Sequence, residues 1–230
     1  MRRSGTVTWS VPVHRSRRTP QSDRRTACPE RSEGVGLPDW SLLVEPVGRS
    51  GSENMAADAA LLDRASESGG AFLRLYRWDP PTLSVGRNQP IAVTPGIPWV
   101  RRPTGGKAVW HEHEVTYAVA APIAVFGSLR DAYRQIHERL AAALRSLGIP
   151  TSLAPYRPTV RPSDGPTSCF AAPVGGEIIV RGRKVVGSAQ VRRRDAFLQH
   201  GSILLDGALL GRPVSFEEVT AAIIEKWDEE

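Results

Sequence analysis

The segment from Ser128 to Leu147 carries the clearest structural signal in this chain of 230 residues. Its apolar residues recur every three or four positions, which is the period of an amphipathic helix lying on a core. Ser128 can cap the first turn, and Gly148 with Pro150 ends the helix. The apolar stripe consists of Leu129, Ala132, Tyr133, Ile136, Leu140, Ala143, Leu144 and Leu147. Such a stripe predicts a helix packed on other elements of the fold.

The other periodic segments are mostly short and strand-like. Strands are predicted at 40–44, 71–78, 82–86, 99–102, 116–120, 196–200 and 202–205. A hairpin is predicted from 177–180 and 184–190 around Arg181–Gly182, and residues 151–176 are predicted to be a long loop. Two more helices are predicted, one capped by Ser52 and running to about Ser66, the other at 215–226. Because regular βαβ alternation is missing, the sequence predicts an α+β fold, with helices packed on a mixed or antiparallel sheet.

The basic charge of the chain is concentrated at its N-terminus. The formal net charge is +6 and the pI about 9.9. Residues 1–37 contain eight arginines against three acidic residues, so the remainder carries only +1. A nearly neutral body lacks the electrostatic footprint of a nucleic-acid-binding protein. We expect residues 1–37 to be a disordered basic tail, or the product of a mis-assigned start, and residues 38–230 to form the domain.

Composition excludes several other classes. No apolar run approaches the length of a transmembrane helix. Two cysteines cannot form a disulfide framework, and the N-terminus lacks the pattern of a secretory signal. We therefore expect a cytoplasmic protein that makes no membrane contact.

A first segment rich in candidate binding residues runs from Arg101 to Val119. An arginine pair precedes Thr104–Gly106, where glycines let the backbone approach a ligand closely. This pattern alone is equally typical of a surface turn. His111 and His113 could face the same way, but no third ligand accompanies them, so we expect no metal site.

A second candidate segment runs from Ser168 to Gln190. Cys169 could be a nucleophile if a neighbouring cation lowers the pKa of its thiol, but a lone cysteine is more often a small buried apolar residue. Lys184 is followed by Gly187–Ala189, a close-packed setting in which a buried amine could reach a carbonyl. A lone strand lysine is, however, usually solvated. The residues alone leave both alternatives open.

The two segments, in this order and spacing, resemble the lipoate–protein ligase and octanoyltransferase family, whose catalytic domain is shared with biotin ligases. The resemblance begins with NMAADAALL at Asn54 and FLRLYRWDPPTLSVGRNQ at Phe72, and it ends with FLQHGSILLD at Phe197–Asp206. It implies a biotin/lipoate-ligase-like catalytic domain. It covers the chain from about Trp40 to Asp206.

Two positions resemble the octanoyltransferase branch of LipM type more than the ligases. Lys107 stands where ligases usually have a third glycine, and Ser168–Ala171 stands where ligases usually read Arg-Asn-Asp. The branch implies a thioester intermediate on Cys169, with Lys184 holding the acyl carbonyl. The resemblance also implies a substrate channel formed by Arg101, Arg102, Thr104, Gly105, Gly106, His111, Gly187, Ser188, Ala189, His200 and Gly201.

The implied activity is transfer of an octanoyl or lipoyl group from an acyl-carrier-protein thioester to a lysine of a lipoyl carrier domain. That domain would be the glycine-cleavage H protein or a 2-oxoacid dehydrogenase subunit, and no cofactor would be needed. One alternative is an ATP-dependent lipoate–protein ligase, which would use ATP with Mg²⁺. Family members usually continue well beyond Asp206, and the absence of the ligase accessory domain is expected to favour the transferase. The other alternative is a non-catalytic lipoyl-binding relative.

Overall fold

The computed structural model describes residues 7–8, 40–90, 95–155 and 175–227. The strands are β1 (Val7–Thr8), β2 (Trp40–Arg49), β3 (Ala71–Trp78), β4 (Thr82–Val85), β5 (Trp99–Arg101), β6 (Val109–His111), β7 (Glu114–Pro122), β8 (Thr151–Leu153), β9 (Ile178–Val180), β10 (Arg183–Lys184), β11 (Val186–Arg193) and β12 (Ala196–Leu204). The helices are α1 (Gly51–Ser68), α2 (Leu129–Ser146), α3 (Gly207–Leu210) and α4 (Phe216–Trp227), and a 3₁₀ turn covers Ile123–Val125.

Six strands form the main sheet, in the order β1-β2-β3-β7-β12-β11. Only β2 and β3 run parallel; the other neighbours are antiparallel. Two small sheets accompany it, β10-β9-β8 and β5-β4-β6. The mixed sheet with packed helices confirms the predicted α+β class.

The helices lie on both faces of the main sheet. Because side chains alternate between faces along a strand, Tyr76 and Ala118 face α1 and pack with its Met55 and Leu62. On the opposite face, α2 and α4 share a second apolar cluster with residues such as Tyr117. The predicted stripe of α2 supplies buried side chains to that cluster. The sheet therefore separates two interiors, an α1 face and an α2 face.

The helix α1 begins two residues earlier than the sequence predicts. Its N-cap is Ser50 rather than Ser52, and the Ser50 side chain accepts a hydrogen bond from the Glu53 N–H. The Glu53 carboxylate accepts from the Ser50 N–H in return, at 3.0 Å. This reciprocal capping box satisfies two backbone donors, which Ser52 could not do from inside the first turn. The helix α2 begins after its predicted cap, Ser128.

Several strand boundaries differ from the prediction because pairing partners decide them. The predicted hairpin arm 184–190 is split: β10 pairs with β9, whereas β11 pairs with β12. The two strands predicted at 196–205 form the single strand β12, which stays in register with β7 throughout. The sequence analysis missed β1, β6, β8 and α3; β1 lies in the segment 1–37 that was predicted to be disordered, and β8 lies in the segment 151–176 that was predicted to be a loop. The hairpin turn itself is as predicted, with positive φ at Arg181 (49°) and Gly182 (76°).

Most of the N-terminal segment lies outside the described residues. Within it, Val7–Thr8 pairs antiparallel with Ser41–Leu42 of β2. Disorder of the remaining tail stays a prediction. No helix among the described residues is long and apolar enough to cross a bilayer.

Candidate active site

A cavity of about 420 Å³, open mouth included, lies between the α1 face of the main sheet and the small sheet β5-β4-β6. Eight of the residues predicted to bind substrate line it, namely Arg102, Gly106, His111, Gly187, Ser188, Ala189, His200 and Gly201. The other lining residues are Met55, Tyr76, Trp78, Ser84, Val109 and Ser202. The two sequence segments therefore meet at one site.

The first glycine-rich segment forms one rim of the cavity because Arg102 anchors it. The buried guanidinium donates to the carbonyl oxygens of Gly105 at 2.8 Å and Lys107 at 2.6 Å. Gly106 has φ of 89°, a conformation that disfavours other residues. A Cβ on Gly86 would collide with the Gly106 carbonyl. Arg102 thus shapes the rim with its side chain and is not free to hold a ligand carboxylate.

His200 forms part of the cavity wall, with both ring nitrogens engaged. Its Nδ1 lies 2.8 Å from the buried Asp58 carboxylate, and its Nε2 lies 2.6 Å from the Thr104 hydroxyl. Asp58 also accepts from Arg74 at 2.8 Å and from the Tyr76 hydroxyl at 2.8 Å. Burial, followed by the Asp58 charge, raises the pKa of Tyr76 well above its ordinary value, so Tyr76 remains a donor. The network fixes the plane of the His200 ring.

His111 is held in a similar way on the opposite wall. Its Nδ1 lies 2.5 Å from the Glu114 carboxylate and its Nε2 lies 2.7 Å from the Ser84 hydroxyl. The Trp78 ring stacks on the imidazole at 4.0 Å. Both histidines therefore shape the cavity and have no ring nitrogen left for a ligand. His113, by contrast, is exposed, with 86% of its side chain accessible, and the described residues contain no cluster that could hold a metal.

The polar side chains that line the cavity are already satisfied by protein partners. Ser84 contacts His111 and Arg102, and Ser202 donates to Glu114 at 2.8 Å. Since satisfied groups gain little from a polar ligand, whereas Met55, Trp78 and Val109 offer apolar surface, the cavity suits an apolar chain.

Three predicted binding residues lie outside the cavity lining. Arg101 donates to the carbonyl oxygens of Gly86, Arg87 and Gln89 at 2.9–3.0 Å, so its guanidinium holds the neighbouring loop. The Thr104 hydroxyl lies 2.6 Å from the Nε2 of His200, which is itself a cavity residue. The Gly105 carbonyl accepts from Arg102. Their direct contact with substrate stays a prediction.

The predicted catalytic pair is described only in part. Lys184 is 5% exposed, and its Nζ lies 2.7 Å from the Glu177 carboxylate, itself 3% exposed. Lys184 does not line the cavity; its partner Glu177 lines a groove on the α2 face, together with Arg130, Tyr133, Gly175, Ser188, Ala189 and Gln190. Cys169 lies in 156–174, outside the described residues.

A buried polar chain beside this groove was missed by the sequence prediction. The His137 Nδ1 lies 2.6 Å from the Gly176 carbonyl, and its Nε2 lies 2.8 Å from the Ser188 hydroxyl. Ser188 also contacts the Tyr117 hydroxyl at 2.6 Å, which in turn accepts from Gln199 at 2.9 Å. The one sequence feature that could have identified it is the position of His137, next to Ile136 on the apolar face of α2. Burial lowers the pKa of His137 to about 4, the charge of Lys184 acts in the same direction, and the Gly176 hydrogen bond opposes both.

The chain is similar in sequence to proteins named as octanoyltransferases. Over 175 residues, the chain is 44% identical to octanoyltransferase LipM of Carboxydothermus hydrogenoformans, covering 71% of this chain and 64% of that protein. It is 43% identical over 184 residues to octanoyltransferase LipM of Kyrpidia tusciae, covering 73% and 66%. The chain thus spans about two thirds of the length of the relatives it matches.

Solved structures share the fold. A lipoate-protein ligase A bound with ATP superposes with a TM-score of 0.62 at 24% identity, over 81% of this chain and 83% of that one. A bipartite lipoate protein ligase from Thermoplasma acidophilum gives 0.57 at 21% identity, over 81% and 82%. The family model for the lipoyl protein ligase A/B catalytic domain matches residues 50–229. The chain therefore belongs to the lipoyl protein ligase A/B catalytic domain family.

Proposed function

We propose that this protein is an octanoyltransferase of protein lipoylation. It takes an octanoyl group from an acyl-carrier-protein thioester and passes it to a lysine of a lipoyl carrier domain. The observation that carries the proposal is an apolar cavity whose polar side chains already have protein partners, at the site where the two motifs meet. A saturated acyl chain needs apolar surface and no hydrogen-bonding partner. The likeness to LipM octanoyltransferases supports the same activity.

The proposed mechanism has two steps with Cys169 as the nucleophile. The Cys169 thiolate attacks the thioester carbonyl, the bond from carbon to the carrier sulfur breaks, and that sulfur leaves as a thiol with the proton that Cys169 gave up. The acceptor lysine amine then attacks the acyl-enzyme, its nitrogen bonds to the acyl carbon, the bond from that carbon to the Cys169 sulfur breaks, and the proton lost by the amine returns to the Cys169 thiolate. Dividing one transfer into two lowers each barrier.

Lys184 supplies the positive charge near the reacting carbonyl in this mechanism. Its Nζ is buried and paired with Glu177 at 2.7 Å, which limits its rotation. A fixed cation that faces the developing negative charge on the acyl oxygen stabilises the transition state. The acceptor is the lipoyl domain of either a glycine-cleavage H protein or a 2-oxoacid dehydrogenase subunit. We place the protein in the cytoplasm.

Intact-mass analysis tests the covalent step. After incubation with octanoyl-acyl carrier protein, the wild-type protein is expected to gain an octanoyl mass that hydroxylamine removes. Addition of an acceptor lipoyl domain should transfer that mass without ATP. Cys169→Ser and Cys169→Ala should gain no hydroxylamine-labile mass and transfer at least about 10²-fold more slowly.

Two results would contradict the proposal. ATP-independent transfer by Cys169→Ala at the wild-type rate would remove the cysteine from the mechanism. Transfer that requires ATP and free lipoate would instead identify a ligase. Cys28, the second cysteine of the chain, provides the matched control, because Cys28→Ala should leave the acyl mass unchanged.

A further inference from the structure

The strand β11 forms the outer edge of the main sheet. It pairs with β12 on one side, and no strand of the described residues pairs with it on the other. The Leu204 N–H donates to the Val185 carbonyl at 3.0 Å, which places that carbonyl on the β12 side, whereas the Val185 N–H donates to the Ile178 carbonyl of β9. In an antiparallel pair, successive residues alternate between facing the partner strand and facing away. Since the register is unbroken from Val186 to Arg193, the backbone N–H of Ser188 faces the free edge.

The two candidate compartments meet at this part of the edge. The apolar cavity lies on the α1 face and the groove lies on the α2 face, and both are bordered by Ser188 and Ala189. If the cavity holds the acyl chain, the carrier-linked end of the same substrate leaves through the groove. The carbonyl that joins the two ends then lies at their shared border, beside the Ser188 N–H.

We propose that the Ser188 backbone N–H donates a hydrogen bond to the oxygen of the reacting acyl carbonyl, and that His137 is the residue that positions it. The inference rests on the proposed function, because it places an acyl group in the cavity. As a nucleophile adds to the carbonyl carbon, the carbonyl electron pair moves onto the oxygen, and it returns when the leaving sulfur departs. A preorganised N–H stabilises that oxygen without giving up its proton.

His137 can position Ser188 because its own hydrogen positions are determined by its partners. The Gly176 carbonyl only accepts, so Nδ1 of His137 carries the hydrogen and Nε2 of the neutral ring accepts from the Ser188 hydroxyl. Ser188 then accepts from Tyr117, whose pKa is raised by burial so that it keeps its proton. The Ser188 side chain is thus held at two points on the α2 face.

Gly201 on β12 provides the space for this arrangement. A Cβ at that position would lie 2.5 Å from the Ser188 hydroxyl oxygen and 2.9 Å from the Tyr117 ring. The Ser188 hydroxyl also lies on the opposite face of the sheet from the cavity. Its contribution to the site is therefore the backbone N–H, with the side chain as an anchor.

Substitution at Ser188 separates the N–H from the hydroxyl. Ser188→Ala removes only the anchor and is expected to lower kcat about tenfold or less. Ser188→Pro also removes the N–H and should lower kcat by about 10²-fold more, on the scale of a lost oxyanion donor. Arg192→Pro is the matched control, since its N–H faces the same free edge away from the cavity, where proline is tolerated. Equal kcat for Ser188→Pro and Ser188→Ala would overturn the inference.

Infrared spectroscopy provides a readout that requires neither turnover nor tolerance of proline. The probe is octanoyl-pantetheine labelled with ¹³C at the thioester carbonyl and bound to the Cys169→Ala protein. A hydrogen bond from the Ser188 N–H lowers the carbonyl frequency relative to the free probe. Replacement of the amide at 188 by an ester removes the N–H alone and should restore the higher frequency.

The same band tests His137 as a positioning residue. His137→Asn is expected to raise and broaden the band and to lower kcat about tenfold, while KM for the octanoyl carrier changes little. A narrow band at the wild-type frequency in His137→Asn would remove that role. A shifted band in Cys169→Ala, combined with a wild-type protein that transfers no octanoyl group, would contradict the proposed function and leave the donor in place. If the ester replacement at 188 leaves the carbonyl frequency unchanged, the Ser188 N–H is not the hydrogen-bond donor.

Discussion

At the scale of the residue, Lys184 combines a rare side chain with an unusual environment. The chain has three lysines and 27 arginines, and Lys184 is the one with a buried ammonium, paired with the Glu177 carboxylate at 2.7 Å. A guanidinium could keep the ion pair, but it is planar, larger and unable to direct one compact charge at a carbonyl oxygen. The residue is therefore needed for its shape as well as its charge.

Lys184→Arg is accordingly expected to fold and to lose about 10²-fold or more in kcat. Lys107→Arg is the matched control, because Lys107 lies on the half-buried rim and either basic residue is acceptable there. Steady-state transfer assays with circular dichroism of both variants provide the measurement. Near-normal turnover of Lys184→Arg beside an inactive Lys107→Arg would reverse the assignment of the catalytic lysine.

At the scale of the element, the close approach of β11 and β12 sets a steric limit. A Cβ at Gly201 would lie within 3 Å of the Gly187 carbonyl oxygen, the Ser188 hydroxyl and the Tyr117 ring. Gly201→Ala should therefore destabilise the fold by about 1–3 kcal/mol through overpacking. Gly105→Ala is the control, since a Cβ there meets no atom within 4 Å. Urea unfolding of the two variants tests the difference; equal midpoints would show that the strands can separate at no cost.

The elements also show what the sequence could and could not predict. The helix α2 and strand β3 were predicted correctly because their period and terminators are local. The sequence analysis predicted 184–190 as one strand of a hairpin. The structure divides it because β10 pairs with β9 and β11 pairs with β12, and local sequence does not specify the partner of a strand. Ser50 and Ser52 are both good caps, and the reciprocal bond of Glu53 decides between them.

The site was predictable to the extent that its motifs are continuous in sequence. The two glycine-containing segments identified six cavity residues, and the stretch Phe197–Asp206 added His200 and Gly201. Asp58 orients His200 from the distant helix α1, and Glu114, although it lies in the first segment, carries no pattern that marks it as the partner of His111. The sequence analysis also did not identify Glu177 and His137. Their contacts with Lys184 and Ser188 form only in the folded protein.

At the scale of the whole molecule, His137 couples stability to pH. Burial lowers its folded-state pKa to about 4 from a model-peptide value of 6.5, and the positive charge of Lys184 contributes, whereas the Gly176 carbonyl opposes the shift. Between these two pKa values the unfolded chain binds a proton that the folded protein does not. The contribution of His137 is therefore complete above about pH 6.5 and is lost as the pH falls towards 4.

The expected size of this effect is about 3 kcal/mol over that interval, because each unit of pKa difference corresponds to about 1.4 kcal/mol. The stability of a protein depends on pH through many groups at once, so the comparison must isolate His137. His137→Asn keeps a donor for the Gly176 carbonyl and cannot titrate. The slope of unfolding free energy against pH, measured by urea denaturation between pH 4.5 and 6.5, should accordingly be shallower in His137→Asn than in the wild-type protein. Parallel slopes would mean that His137 is protonated in the folded protein, and the hydrogen-bond direction assigned between Ser188 and His137 would then be wrong.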